Sequence, residues 1–185
     1  MQTPARLVAA AVLSFAVLAT SACGDSGDKE AKDNETTSEA PTDAPAATGA
    51  ECTAEDVKVE GGFGDEPTIT IPDDCSPPTT LISKDLVAGG GAGAENGGTV
   101  LANYHLVTWS DKQVLDSSFQ RGAPYPVENI GQAQVIEGWN QGLIGMKKGT
   151  RRLLIVPPAL GYGAGGNGVQ PDETLVFVID AVDVS

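Results

Sequence analysis

Histidine is almost absent from this chain: its 185 residues include one, His105, together with three cysteines. A zinc site is hard to assemble from so few ligands, and no group of Cys, His and carboxylate has metal-ligand spacing. Neither a metal nor a cofactor is expected. A Ser-His-Asp site would have to be built on His105, which strand alternation turns away from the face of its neighbour Tyr104. His105 is therefore expected to be an exposed strand residue. Cations are also scarce, with 11 Lys and Arg against 25 Asp and Glu for a net charge of −14. They gather in no stripe. Phosphate binding needs clustered Lys and Arg, so nucleic acid is excluded as a partner. Residues 161–168 (GYGAGGNG) match a phosphate loop in glycine count only, because no Lys-Ser/Thr ending and no helix follow. They read as a plain flexible loop.

Apolar residues make up 41% of the chain, enough for one ordinary domain plus extensions. The acidity is uneven: residues 23–77 hold 15 acidic and 3 basic side chains, and the rest is nearly balanced. Residues 1–22 read as a signal peptide, with Arg6 followed by the uncharged run LVAAAVLSFAVLAT. That run is too short to span a bilayer but suits a signal-peptide core. Thr20-Ser21-Ala22-Cys23 resembles a bacterial lipobox, which implies lipidation of Cys23 and anchorage on the outer side of the cytoplasmic membrane. The same small residues also suit an ordinary signal peptidase, which would leave a secreted protein. Cys52 and Cys75 form an even pair in a compartment that can be oxidising, and a disulfide between them is expected. Residues 24–50 contain no Val, Ile, Leu, Met or aromatic, so residues 23–55 read as a lipidated, disordered acidic tether.

The domain is expected over residues 56–185. Short apolar runs separated by Gly, Pro and Asp suggest strands at 68–71, 99–109, 114–116, 125–127, 150–156 and 174–184. Alternation places Val100, Ala102, Tyr104 and Leu106 on one face of the second run, and Leu175, Phe177, Ile179 and Ala181 on one face of the last. Residues 135–146 break the rhythm: Ile136, Trp139, Leu143 and Met146 recur at helical spacing. A sheet packed on one short helix is an α+β arrangement. Tyr104, Tyr125, Trp139, Tyr162 and Phe177, spread over strands, helix and loop, suggest a partly open aromatic pocket.

In chain order, Asp116-Ser117-Ser118-Phe119, Val135-Ile136-Glu137-Gly138-Trp139, Gly145-Met146-Lys147-Lys148-Gly149, PPALGYG at 157–163 and Thr174-Leu175-Val176-Phe177 resemble the FKBP-type peptidyl-prolyl cis-trans isomerases. The densest part of the match runs over 98–185. The resemblance implies an antiparallel sheet of five to six strands wrapped around one short helix, with an apolar cleft between them. It implies an isomerase acting on X-Pro bonds, with macrolides as further ligands; the signal-like start makes exported polypeptides the expected substrates, and nothing in the sequence suggests more than a monomer. Tyr104, Asp116, Tyr162 and Phe177 would be catalytic, and Leu115, Tyr125, Val135, Ile136, Trp139 and Val169 would bind substrate. Tyr162 would donate a hydrogen bond to a ligand carbonyl, and Ile136 would offer its backbone N–H. Leu115 and Tyr125 stand where the family usually has Phe, and the loop 164–170 is shorter than its norm. A binding module of the same fold with little catalysis is the alternative reading.

Overall fold

The computed structural model describes residues 49–185; the expected signal peptide, Cys23 and most of the tether lie outside them. The first two strands, β1 (Lys58–Glu60) and β2 (Thr68–Thr70), pair as an antiparallel hairpin. Then follow β3 (Ile82–Val87), β4 (Gly90–Gly93), β5 (Thr99–Thr108), β6 (Val114–Ser117), the single helical turn α1 (Ser118–Arg121) and β7 (Tyr125–Glu128). The chain continues through α2 (Glu137–Gly142), β8 (Lys147–Lys148), β9 (Arg151–Val156), a 3₁₀ turn at Pro158–Leu160 and β10 (Leu175–Val184). Six strands form one antiparallel sheet in the order β3-β9-β10-β5-β6, with β7 also paired to β5. Strands β6 and β7 share β5: β7 takes residues 99–102 and β6 takes 105–107. In the gap between them, on the edge of β5 away from β10, the Ser118 hydroxyl accepts the Tyr104 backbone N–H at 2.8 Å.

Strand alternation divides the apolar residues into two cores. On the inner face, Val100, Ala102, Leu106, Leu154, Val156, Leu175, Phe177, Ile179 and Ala181 pack with Trp139, Leu143 and Met146 from the α2 region. This matches the expected faces of both long strands. The helix itself is shorter than the periodicity over 135–146 suggests, because positive φ at Gly145 (+77°) turns the chain just beyond it. Leu143 and Met146 still reach the core from the following turn. Gly138 and Gly142 allow α2 to lie close to the sheet: a Cβ at either would come within 2.4 Å of Val156 or Leu154. The Arg152 guanidinium donates to the carbonyls of Gly142 (2.6 Å) and Ile144 (3.0 Å), satisfying the helix C-terminus.

The outer face departs from the sequence expectation. Val107, Trp109, Leu153, Ile155, Val176 and Val178 are covered by Cys52, Val57 and Ile71 of the N-terminal segment. Packing reaches back past position 56: Cys52 is 2% exposed, and Glu51 bridges to Ser76. Cys52 and Cys75 are joined by a disulfide with Cα atoms 5.2 Å apart. Runs of small and acidic residues concealed this cover, since its few apolar side chains show no period. His105 is buried at 5% exposure instead of being exposed, for the same reason: the tip of the β1–β2 hairpin lies over it.

Candidate active site

A cavity of about 250 Å³ opens on the inner face, lined by Tyr104, Leu106, Asp116, Tyr125, Gln134, Val135, Ile136, Trp139, Tyr162 and Phe177. They arrive from several elements of the fold. Tyr104 and Leu106 come from β5, Asp116 from β6, Tyr125 from β7 and Phe177 from β10. Ile136 precedes α2 and Trp139 lies within it. Trp139 and Phe177, at 4% exposure each, are the most enclosed of the ten. Their rings meet edge to face at 5.4 Å, and Tyr104 stands on Trp139 at 5.1 Å with planes 87° apart. Such contacts add about 0.5–1.5 kcal/mol each beyond burial and hold the rings upright. The indole Nε1–H of Trp139 is buried with no acceptor among the described residues, a donor that costs about 1–3 kcal/mol while unsatisfied.

One polar trio stands at the rim. The Tyr104 hydroxyl donates to Asp116 Oδ2 at 2.5 Å, and Arg121 donates to the same hydroxyl at 2.7 Å. Arg121 also pairs with Asp116 Oδ1. The Tyr104 phenol is pushed up to about 12, first by burial and then by its bond to Asp116, with Arg121 pulling the other way. It is protonated at any ordinary pH, and its hydroxyl is already committed to this trio. The Tyr162 hydroxyl has no partner among the described residues. It follows the 3₁₀ turn, where Gly163 N–H donates to Pro158 O (2.9 Å) and Gly165 N–H to Tyr162 O (2.9 Å). The hydrogen bonds at Ile136 fall on its carbonyl, from Trp139 and Asn140 N–H, so its N–H bonds to none of the described residues. Buried Asn140 organises the approach to Ile136: its Oδ1 accepts from Gly131 and Ala133, and its Nδ2 donates to Ala133 O.

Eight of the ten expected site residues line the cavity. Leu115 and Val169 do not: Val169 is buried in the inner core, and Leu115 packs against that core. Sequence reasoning missed Leu106, Gln134 and Arg121. Arg121 lies five residues after Asp116 across a helical turn, a spacing that carries no signal until α1 is known. The glycine-rich loop is a built turn and not a bare connection. Asn167 and Gly168 both have positive φ (+53° and +83°), and Gly166 and Val169 exchange two backbone bonds across them.

A model of the family described as FKBP-type peptidyl-prolyl cis-trans isomerase matches residues 90–182. The chain belongs to the FKBP-type peptidyl-prolyl cis-trans isomerases. It is 46% identical over 111 residues to an FK506-binding protein of Streptomyces anulatus, covering 58% of this chain and 89% of that one. It is 37% identical over 121 residues to a probable FK506-binding protein of Corynebacterium glutamicum, covering 64% and 98%. Among solved structures, AtFKBP13 superposes with a TM-score of 0.51 at 32% identity, covering 58% of this chain and 95% of that one. This FKBP-type chain is thus an isomerase whose family segment begins at β4. The β1–β2 hairpin and the disulfide precede that segment.

Proposed function

We propose that this isomerase speeds rotation of X-Pro bonds in exported polypeptides while tethered by lipid at Cys23 to the outer face of the cytoplasmic membrane. The carrying observation is the half-enclosed aromatic cavity with two donors on its wall, Tyr162 Oη–H and Ile136 N–H, that bond to none of the described residues. Rotation about a peptide bond faces a barrier of about 18–20 kcal/mol because it breaks amide resonance. The twisted amide is less polar than the planar one, so transfer into apolar surroundings favours the transition state over the ground state. Phe177, Trp139, Val135 and Tyr125 supply those surroundings around the proline ring. Tyr162 and Ile136 N–H hold the flanking carbonyls, which orients the bond without fixing its torsion. Asp116 and Tyr104, braced by Arg121, shape the rim. Lowering the barrier by about 5 kcal/mol accelerates the step a few thousandfold.

Export is supported by the signal-like start and the lipobox resemblance of residues 1–23. It is supported again by the Cys52–Cys75 disulfide, a bond rare in reducing compartments. The cavity and the family name of the relatives support macrolides as competing ligands. A protease-coupled assay on an Ala-Pro peptide tests the reaction, with acceleration over buffer expected. Rates equal to buffer, with macrolide binding retained, would leave the binding-module reading. Mass spectrometry of the mature N-terminus tests the anchor: an unmodified Cys23, or a start elsewhere, removes it.

A further inference from the structure

The tip of the β1–β2 hairpin, residues 61–67, is fastened to the outer face of the sheet by a buried ion pair. Arg151 and Asp180 are 1% and 0% exposed and bond at 2.6 and 2.7 Å. Arg151 also donates to Gly61 O (2.7 Å) and Asp65 O (2.6 Å), while Gly64 N–H donates to Asp180 Oδ2 at 2.7 Å. Glu66 is thereby carried over the paired residues His105 of β5 and Ser117 of β6. There its Oε1 accepts from the Ser117 hydroxyl and from Gln120 Nε2, each at 3.1 Å, and lies 3.3 Å from His105 Nδ1. Ser117 is the residue before α1, yet its hydroxyl caps no helical N–H and goes to Glu66 instead.

The single turn α1 therefore has two sides. Ser117 and Gln120 are tied outward to Glu66, while Ser118 and Arg121 bond inward to the Tyr104 backbone and to the Tyr104–Asp116 pair. A one-turn helix has little stability of its own, so its orientation depends on these ties. We propose that Glu66, from a segment outside the family match, is a positioning residue for the isomerase site. It holds α1 so that Arg121 braces Tyr104 and Asp116 at the cavity rim. This rests on the isomerase reading above.

The test compares full-length wild type with Glu66→Ala, Glu66→Gln, Gln120→Ala, Arg121→Ala and the Glu66→Ala/Arg121→Ala double variant. Isomerisation kinetics are measured on an Ala-Pro peptide, and Arg121 Nε–H and Tyr104 ring resonances are followed in the free protein. Glu66→Ala is expected to lower kcat/KM about tenfold, as small misplacements in a site do, and to move both resonances. Glu66→Gln, which keeps an accepting oxygen, is expected to restore most of the rate. The double variant is expected to be no slower than Arg121→Ala alone. Exposed Gln120 can be truncated without disturbing the hairpin, and its variant should move the same resonances even if Glu66→Ala fails to fold. Unmoved resonances, or losses that multiply in the double variant, overturn the proposal. If wild type shows no isomerisation, the functional reading fails, while the resonances still decide the coupling.

Discussion

The inner and outer faces of the central strands are built from alternating residues of the same apolar kind, yet they finish differently. On the outer face, Val176 and Val178 meet Cys52, Val57 and Ile71, and the space is closed by a disulfide and a buried ion pair. On the inner face, neighbours Leu175 and Ile179 are equally sealed, but around Phe177 the packing stops short and leaves the cavity. A closed face contributes stability. A face left partly open gives some of that up: the buried Trp139 N–H has no acceptor among the described residues, and the tyrosines around the cavity stay partly or largely exposed. The pairing of a sealed side with an open one lets a small sheet hold its rings rigidly without filling the gap between them.

Breaking the outer fastening should have the largest effect. Asp180→Asn leaves the Arg151 guanidinium buried without its counter-charge and is expected to cost about 3–5 kcal/mol in urea denaturation. A cost under about 1 kcal/mol would show that the outer face contributes little to holding the domain. Removing the disulfide by Cys52→Ser with Cys75→Ser, across a sequence separation of 23, is expected to cost about 3 kcal/mol by chain entropy. Isomerisation measured well below the unfolding temperature should stay within about twofold, because the hairpin tip that carries Glu66 is fastened by Arg151 and Asp180 and not by the disulfide; a collapse of rate with the fold intact would show that the disulfide also sets the position of Glu66. The reverse signature is expected inside. Tyr162→Phe should lower kcat/KM by about two- to tenfold, the worth of one hydrogen bond, with unfolding free energy changed by no more than about 0.5 kcal/mol.

Two titrations refine the contrast further. The Tyr104 phenol, raised to about 12, holds its proton in the folded state after an unfolded tyrosine has lost it near pH 10. Its contribution to stability is whole below pH 10 and is lost as pH climbs toward 12. The corresponding phenolate absorbance step should vanish in Tyr104→Phe. Burial lowers the pKa of His105, with Glu66 opposing, so the folded state prefers the neutral ring. That contribution is present above pH 6.5 and is lost as pH falls through the depressed value. As the only histidine, it can be followed directly by proton resonance, and a midpoint at or above 6.5 would contradict the cover the hairpin tip provides.

Most of the inner face was legible before any coordinates. Alternation in β5 and β10 marked the buried rows, helical spacing marked Trp139, Leu143 and Met146, and five ordered motifs tied them to one family. The outer cover was not legible. Val57, Val59, Ile69 and Ile71 sit in a stretch dominated by Gly, Pro and acids, and nothing local says which surface they will meet. Arg121 was overlooked because its role depends on a turn that aims it back across the strand.

Local periodicity by itself determined which residues of each strand share a face and that an aromatic set would converge on one helix, since side-chain direction follows backbone repeat at short range. Only the tertiary structure decided which face would be closed, where Glu66 and Arg121 would arrive, and how large the remaining gap would be. Those outcomes depend on contacts between segments far apart in the chain, such as Gly64 with Asp180, whose distance no local pattern encodes.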